Sequence, residues 1–514
     1  MENDFIIEML GITKEFGKIK ANDNITLQLK KGEIHALVGE NGAGKSTLMS
    51  ILFGMYEPSS GEIRKNGIPV KIENPNDANA LNIGMVHQHF KLVECFSILD
   101  NIILGVEPTK GIFISREEAR KKVLEISAKY GLSINPDAIV KDVTVGMQQR
   151  AEILKMLYRD NEILIFDEPT AVLTPQEITE LMHIMKSLAR EGKSILFITH
   201  KLYEVFAVSD RVTVIRRGKH VATLNTADTN TEEISSLMVG RQVEFTPHKG
   251  DTTPGETILK VEDLSVIDEK TKKTLLDNVS FSVKKGEILG IAGIDGNGQR
   301  ELIYALTGLA KQSSGKIFLN GKDFSEASIK ARNKNGISHI PEDRLKHGLV
   351  LDYRLEQNMV LQRYEESEFQ TFGFIKDKNV RNYAEALAQK FDVRSSDGVI
   401  AKARSMSGGN QQKAIVAREI DRQHDLLIAV QPTRGVDIGA IEFIQNELVK
   451  ERDNGKGVLL VSLDLDEILA LSDRILVIFE GKFVGQFNPK NTTYEELGLY
   501  MAGGKRMELS KEVC

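Results

Sequence analysis

The sequence predicts an α/β protein built from two tandem phosphate-loop modules, each with a helical subdomain. Three observations lead there. The first is an internal repeat. "LKKGEIHALVGENGAGKSTL" begins at Leu29 and "VKKGEILGIAGIDGNGQREL" at Val283, 254 positions on (283 − 29). "LFITHKLYEVFAVSDRV" begins at Leu196 and "LLVSLDLDEILALSDRI" at Leu459, 263 positions on (459 − 196), a spacing that Gly240 and Gly503 keep. Similarity over this length means two copies of one folding unit. The second copy carries a net nine extra residues (263 − 254) between its early and late motifs. The second observation is the alternation of short β-branched runs ("EIHALV", "EILIF", "SILFIT") with amphipathic helical stretches. Such alternation marks a largely parallel sheet covered by helices. The third is "GENGAGKST", residues 39 to 47, a full match to G-x-x-x-x-G-K-[ST] between a strand and a helix.

The repeat sets the domain boundaries. Domain 1 covers 1–243 and domain 2 covers 258–506. Residues 244–257, "EFTPHKGDTTPGET", form a linker rich in Pro, Gly and Thr, and 507–514 form a tail. "SREEARKKVLEISAKYG" (115 to 131) and "VRNYAEALAQKF" (380 to 391) show helical periodicity in corresponding parts of the two copies, where the helical subdomains are expected. The bulk numbers narrow the class. At 514 residues, two to four domains are expected, and 41% hydrophobic with 27% charged residues is a globular composition. A net charge of −6 argues against general nucleic-acid binding. Two cysteines, Cys95 and Cys514, make no disulfide framework and fit a reducing compartment. No signal peptide is expected from "MENDFIIEML", and no apolar run approaches the roughly 18 residues that span a bilayer, so a role at a membrane requires an embedded partner.

In the first copy the chemistry is written at known spacings. Gly39, Gly42 and Gly44, with Glu40, Asn41 and Ala43, turn backbone amides inward around phosphates, and a helix starting near Gly44 turns its amide end toward the anion. Lys45 supplies a point charge to the outer phosphates, and Ser46, followed by Thr47, an oxygen for Mg²⁺. The strand "EILIFDEP" ends in Asp167, placed to hold Mg²⁺, and Glu168, placed to polarise a water. Alone, these would read as two solvated acids at a strand end; behind a complete phosphate loop, the catalytic reading is the better one. His200 closes the strand "SILFITH", where it would contact the γ-phosphate, although an isolated histidine is more often structural. Gln88, otherwise an ordinary loop glutamine, would reach the metal and the water, and Phe16 would stack on a base or join the core.

Taken together, these motifs resemble the nucleotide-binding subunits of ABC transporters, over nearly the whole chain. The tandem arrangement is similar to the fused ATPase of sugar and nucleoside importers. The resemblance implies ABC-type ATPase domains binding ATP and Mg²⁺. Gly39 to Thr47 match the Walker A loop, Asp167 the end of Walker B, Glu168 the catalytic glutamate, Gln88 the Q-loop and His200 the switch histidine. The family's signature, L-S-G-G-Q, appears in the second copy as "MSGGN" with Ser407, Gly408 and Gly409. In the first it is "VTVGM", with Thr144 and Val145 in place of Ser and Gly. The wording "DEPTAVLTPQE", "VGMQQR" and "QPTRGVD" is most similar to the branch that imports nucleosides through a lipoprotein receptor. That implies transmembrane permease subunits as a heterodimer, an extracytoplasmic substrate-binding lipoprotein, a place on the cytoplasmic face of the cell membrane, and no nucleic acid.

The second copy has lost its chemistry. Gln299 stands for Lys45, Arg300 for Ser46, Glu342 for Gln88, Val430 for Asp167, Gln431 for Glu168 and Leu463 for His200, and the loop 266 to 274 has no aromatic to match Phe16. A dinucleotide-loop reading of "GIDGNG" is weak, because Glu301 stands where the third glycine belongs. In the family, the Walker loop of one module faces the signature of the other. That geometry implies one complete composite site, Lys45 with Ser407, Gly408 and Gly409, and one degenerate site, Gln299 with Thr144 and Val145. A simple-sugar importer is the nearest alternative. A soluble tandem ATPase acting in translation would keep two competent sites and a long charged linker, and a DNA-repair ATPase would need long coiled coils.

Overall fold

Short runs that are apolar at almost every position form the centre of each half. "IHALV", "ILIFD" and "SILFI" become the strands Ile34–Val38, Ile163–Asp167 and Ser194–Ile198, buried along their whole length. Strands covered on both faces need no polar alternation. In the computed structural model, which describes the chain apart from residues 1–3, 18, 41, 88–90, 171–174, 200, 243–246, 251, 269–270 and 508–514, these strands pair in parallel within a six-stranded sheet. The order is Lys219–Asn225, Arg211–Arg216, Ile34–Val38, Ser194–Ile198, Ile163–Asp167, Ile83–Val86, the first antiparallel to its neighbour. The second half repeats the order with Lys482–Phe487, Arg474–Phe479, Ile288–Ala292, Gly457–Val461, Leu426–Val430 and Ile337–Ile340. The parallel strands of each sheet end on the same edge, where open α/β sheets bind ligands.

Each half also has a four-stranded antiparallel sheet that the motif pattern did not lead us to expect. In the first it runs Ile19–Lys30, Phe5–Phe16, Ser60–Lys65, Ile68–Val70. In the second it runs Thr274–Lys284, Thr257–Ile267, Ser314–Leu319, Lys322–Asp323. The long first hairpin lies upstream of the phosphate loop. Its β-bulges break the period-two pattern that would have announced it.

The helical subdomains lie where the periodicity placed them. Arg116–Tyr130 and Asp377–Lys390 are their long helices. The first stops at Gly131, whose φ of 68° a side chain would strain. Ile98–Ile103 and Val145–Tyr158 complete the first subdomain, Leu355–Met359 and Gly408–Asp421 the second. Ile98, Ile102, Val123, Leu154 and Leu157 share a core with Phe166 of the sheet, so helices and strand ends form one packed body within the first half. The nine extra residues of the second half fall between the strand Ile337–Ile340 and the helix Gly408–Asp421. Strand starts at 83 and 337 are still 254 apart. Helix starts at 98 and 355 are 257 apart, those at 116 and 377 are 261 apart, and those at 145 and 408 are 263 apart.

The chain divides into two compact units, Met1–Val243 and Glu244–Cys514. The described part of the 244–257 stretch before Thr257 has no helix or strand, yet it is tied to the second unit. Lys249 Nζ donates to the Leu471 and Ser472 carbonyls at 3.1 and 2.6 Å, and Thr252 Oγ1 to the Gly286 carbonyl at 3.0 Å. Arg452 Nη1 donates to the Gly250 carbonyl at 2.8 Å. Among the described residues no helix is long and apolar enough to cross a membrane.

Candidate nucleotide site

The phosphate loop leaves the buried strand Ile34–Val38 and ends at Gly44, whose φ of 100° precedes the helix Lys45–Leu52. Two of its glycines have no substitute. A Cβ at Gly39 would lie 2.2 Å from the Ile215 carbonyl oxygen, and one at Gly44 2.3 Å from that of Ala21. The loop is thus pressed against its neighbours where it meets the N-terminus of the helix, the end of a helix that favours anions. Gly42 differs from both. It is exposed, and a Cβ there would meet nothing within 4 Å, so only its φ of 80° asks for glycine. Gly42 therefore supplies the bend of the cradle and no close approach to the protein. Ala43 is buried, and its N–H donates to the Glu40 carbonyl at 3.1 Å. Lys45 is buried and curls back over the loop, donating to the Gly39 and Glu40 carbonyls at 2.7 and 3.0 Å. Thr47 lies half-buried in the first turn.

The acids arrive from the next strand but one. Parallel pairing sets Asp167 opposite Ile198, and Ser46 Oγ donates to Asp167 Oδ1 at 3.2 Å. This hydrogen bond joins the loop to the strand end. Burial pushes the Asp167 carboxyl up to about 6, helped by the charge of Glu168 and opposed by the Ser46 hydrogen bond and Lys45. Glu168 has a φ of 47° and donates its N–H to the Ile198 carbonyl at 3.0 Å, so the chain turns sharply at the strand end. Lys45, Ser46, Asp167 and Glu168 are therefore gathered at one sheet edge. Asn41, Gln88 and His200 lie outside the described residues.

Phe16 ends its strand 42% exposed, edge-on to Tyr56 at 5.2 Å between ring centroids, with Lys14 Nζ 5.2 Å from its ring. It is a surface ring, not a core one. Tyr56 and Lys14 went unnoticed in the sequence, because nothing local marks them as neighbours of one exposed ring. A second group missed is Gln149, whose side-chain amide donates to the carbonyl of Pro169, the residue after Glu168. Gln412, 263 positions on, donates to the Pro432 carbonyl at 2.8 Å. The shared "QQ" of "VGMQQR" and "GGNQQK" was the available signal.

Ser407, Gly408 and Gly409 sit in the second unit, at the start of the helix Gly408–Asp421. Ser407 caps it, its Oγ accepting from the Asn410 N–H and side-chain amide at 3.4 and 3.0 Å. Gly409 is buried beneath this turn, and a Cβ there would lie 3.2 Å from Asp437 Oδ2. In the first unit Thr144 caps Val145–Tyr158 by accepting from the Met147 N–H at 3.4 Å. The second unit keeps the cradle without the charges. Gly296, at the place of Gly42, has a φ of 85°, and Gly298 has a φ of 107° ahead of the helix Gln299–Thr307. Gln299 closes the loop on itself, donating to the Ile294 carbonyl at 3.0 Å and accepting from the Asn297 N–H at 3.1 Å. Val430 is buried at the strand end, and Gln431 retains a φ of 48°.

A family model described as "ABC transporter" matches residues 22–171 and 276–434. The chain is 56% identical over 508 residues to the guanosine import ATP-binding protein of Bacillus subtilis (strain 168), covering 99% of each. It is 53% identical to the nucleoside import ATP-binding protein of Lactococcus lactis subsp. cremoris (strain MG1363), covering 98% of this chain and 99% of that one. With the glucose import ATP-binding protein of Haloferax volcanii identity is 43%, over 98% and 97%. Among solved structures, a complex of an archaeal ribosome recycling factor with a ribosomal stalk protein matches with a TM-score of 0.63 at 19% identity, over 96% of this chain and 92% of that one. At that identity the likeness is one of fold alone.

Proposed function

Since the chain belongs to the ABC transporter family, we propose that it is the ATPase subunit of a nucleoside importer, with one working site built from both halves. Domains of this family are ATPases coupled to transport and bind ATP. The observation that carries the reading is the separation of parts. Lys45, Ser46, Asp167 and Glu168 gather in the first half, while the sequence Ser-Gly-Gly stands at the start of the corresponding helix only in the second. In this reading the loop from Gly39 through Gly42 to Lys45 binds the phosphates, Glu168 orients and deprotonates the attacking water, and His200 and Gln88 contact the γ-phosphate and the water. Phe16 meets the base, and Ser407, Gly408 and Gly409 complete the site from the second half.

Ser46 and Asp167, with Gln88, would hold Mg²⁺, which when bound would neutralise phosphate charge. The fit rests on Asp167, a buried carboxylate at the strand end whose Oδ1 accepts from Ser46 Oγ at 3.2 Å, so that the two oxygens offered to a cation already lie side by side. Magnesium is commonly bound by one or two carboxylates together with substrate phosphates.

Nucleoside cargo is supported by the 56% and 53% identities to relatives named for guanosine and nucleosides, against 43% to one named for glucose. Permease subunits would carry the cargo and an extracytoplasmic lipoprotein would deliver it, with this chain on the cytoplasmic face. The shared site is tested by the ATPase rate of the assembled complex. In this reading Gly408→Asp would turn a carboxylate toward the γ-phosphate held by Lys45, where like charges ~4 Å apart would repel by ~4 kcal/mol at an effective dielectric of 20, and its Cβ would also crowd Arg344 Nη2, 2.7 Å away. A loss near a thousandfold is expected. Val145→Asp falls in the degenerate site and should be far milder. Equal losses would defeat the reading.

A further inference from the structure

The second half does more than lose polar groups at its sheet edge; it gains charges, and gains them as a set. Where the first half has Ser46, Gln88 and Ala171, the repeat spacings place Arg300, Glu342 and Arg434. Independent drift would not be expected to produce one acid flanked by two bases. The three residues meet, although they come from three elements. Arg300 lies in the first turn of Gln299–Thr307, Glu342 just past the strand Ile337–Ile340, and Arg434 in the loop after Leu426–Val430. Glu342 Oε2 is 3.5 Å from Arg300 Nε, and Glu342 Oε1 accepts from Arg434 Nη1 at 3.0 Å.

From there the chain of contacts runs to the Ser407–Gly409 turn. The Arg434 carbonyl accepts from Arg344 Nη1 at 3.1 Å. Arg344 opens a wide helical turn, Arg344–Gly348, in the stretch before Leu355–Met359 where the second half is three residues longer than the first (257 − 254). Its guanidinium lies against the N-terminus of Gly408–Asp421. A Cβ on Gly408 would be 2.7 Å from Arg344 Nη2, and one on Gly435 3.5 Å from Nη1. Arg344 Nε is buried with no hydrogen-bond partner among the described residues, so the side chain is held by its Nη1 bond to Arg434 and by packing. Arg300, Glu342, Arg344, Arg434 and Gly435 line one cavity of about 530 Å³.

We propose that Arg300, Glu342 and Arg434 form a fixed-charge brace which, through Arg344, holds the Ser407–Gly409 turn in its working position with no nucleotide in this half. The brace rests on the reading that this turn completes the site of the Lys45 loop. In the first half the corresponding groups are uncharged and have no such mutual attraction; opposite charges hold each other without a ligand. Exposed pairs of this kind add little stability singly. Their effect here is geometric: the first turn of one helix is joined to the segments that follow two strands, and one arginine fork is aimed. Arg344 is a positioning residue, acting through Gly408.

The test uses the full chain in its transporter complex, with MgATP. Glu342→Gln and Arg344→Ala should each lower kcat about tenfold, because a misplaced donor turn is costly even at a distance. MgATP affinity of the Lys45 loop and the Tm should hold. The double variant should be no worse than the worse single one, since the two act in one chain of contacts. The reversed triple Arg300→Glu, Glu342→Arg, Arg434→Glu should recover most of kcat. If Arg344→Ala fails to fold, Arg344→Lys, which keeps the charge and loses the fork, should show the same kcat loss. Unchanged kcat in folded variants, or losses that simply multiply, would overturn the brace. If Gly408→Asp stops turnover and these variants do not, the brace alone falls; if Gly408→Asp is harmless, the shared site falls and takes the brace with it.

Discussion

Glu168 and Gln431 hold the same left-handed backbone, φ 47° and 48°, and both donate their N–H to the last residue of the neighbouring strand, Ile198 or Val461. The second half has lost the acid and kept the turn, so the fold imposes the turn and the acid exploits it. Glu168→Gln should therefore leave the backbone and Tm as they are while phosphate release falls by roughly 10² to 10⁴-fold, the worth of a positioned base. Gln431→Ala should leave turnover nearly intact. Asp167 makes a different prediction. Its carboxyl titrates at about 6 in the folded chain against an ordinary 3.8, because burial disfavours the charge. A raised carboxyl pKa favours folding below pH ~4, where the group is protonated in both states, and that advantage is lost as pH rises through 6. Above that the buried charge costs on the order of 3 kcal/mol. Nucleotide-free Asp167→Asn should melt higher than the parent at pH 8, with the difference gone near pH 4, in thermal melts across that range. The acids and the phosphate loop were legible in the sequence because each is a local run. Tyr56 beside Phe16, and Arg344 beneath Gly408, were not, because nothing near them in the chain names their partner.

At the level of elements, the two signature helices make a controlled pair. Thr144 caps Val145–Tyr158 and Ser407 caps Gly408–Asp421, each accepting from the N–H three residues on at 3.4 Å. Behind the caps, Gln149 and Gln412 tie each helix to the proline after the strand-end turn. Removing either cap hydroxyl should cost a similar ~1 kcal/mol of stability. Thr144→Ala and Ser407→Ala should thus lower Tm by comparable amounts, and only Ser407→Ala should also lower the ATPase rate. Equal effects on rate would mean that the helix, not the site it faces, was being measured. The same pairing shows what the sequence could teach about elements. The parallel strands announced themselves as runs apolar at almost every position, and the long helices as amphipathic ones. The four-stranded antiparallel sheets did not, since the bulges at Ile7, Ile12 and Lys14 interrupt the alternation a strand reader looks for. The join at 244–257 reads as a linker because it is rich in Pro, Gly and Thr; its hydrogen bonds to Leu471, Ser472 and Gly286 are not legible there, since those residues lie farther along the chain.

Across the whole molecule, cargo is the property least written in this chain, because an ATPase subunit need not touch what its partners carry. No residue of the phosphate loop, the strand-end acids or the signature turn distinguishes a nucleoside from a sugar. The distinction comes from comparison over the full length, 56% identity to a relative named for guanosine import against 43% to one named for glucose. Energy coupling nevertheless makes cargo testable through this subunit: if Glu168 is the catalytic acid proposed above, its replacement should leave the permease present but undriven. Cells carrying Glu168→Gln in place of the native chain should lose uptake of labelled guanosine and other ribonucleosides to the level of a gene deletion. Uptake of labelled ribose and glucose should be unchanged. The same variant should still sediment with membranes, since binding its permease does not require hydrolysis, and so lost uptake can be told apart from lost assembly. If ribose uptake falls and nucleoside uptake persists, the sugar importer is the correct assignment, with the site chemistry argued above unaltered.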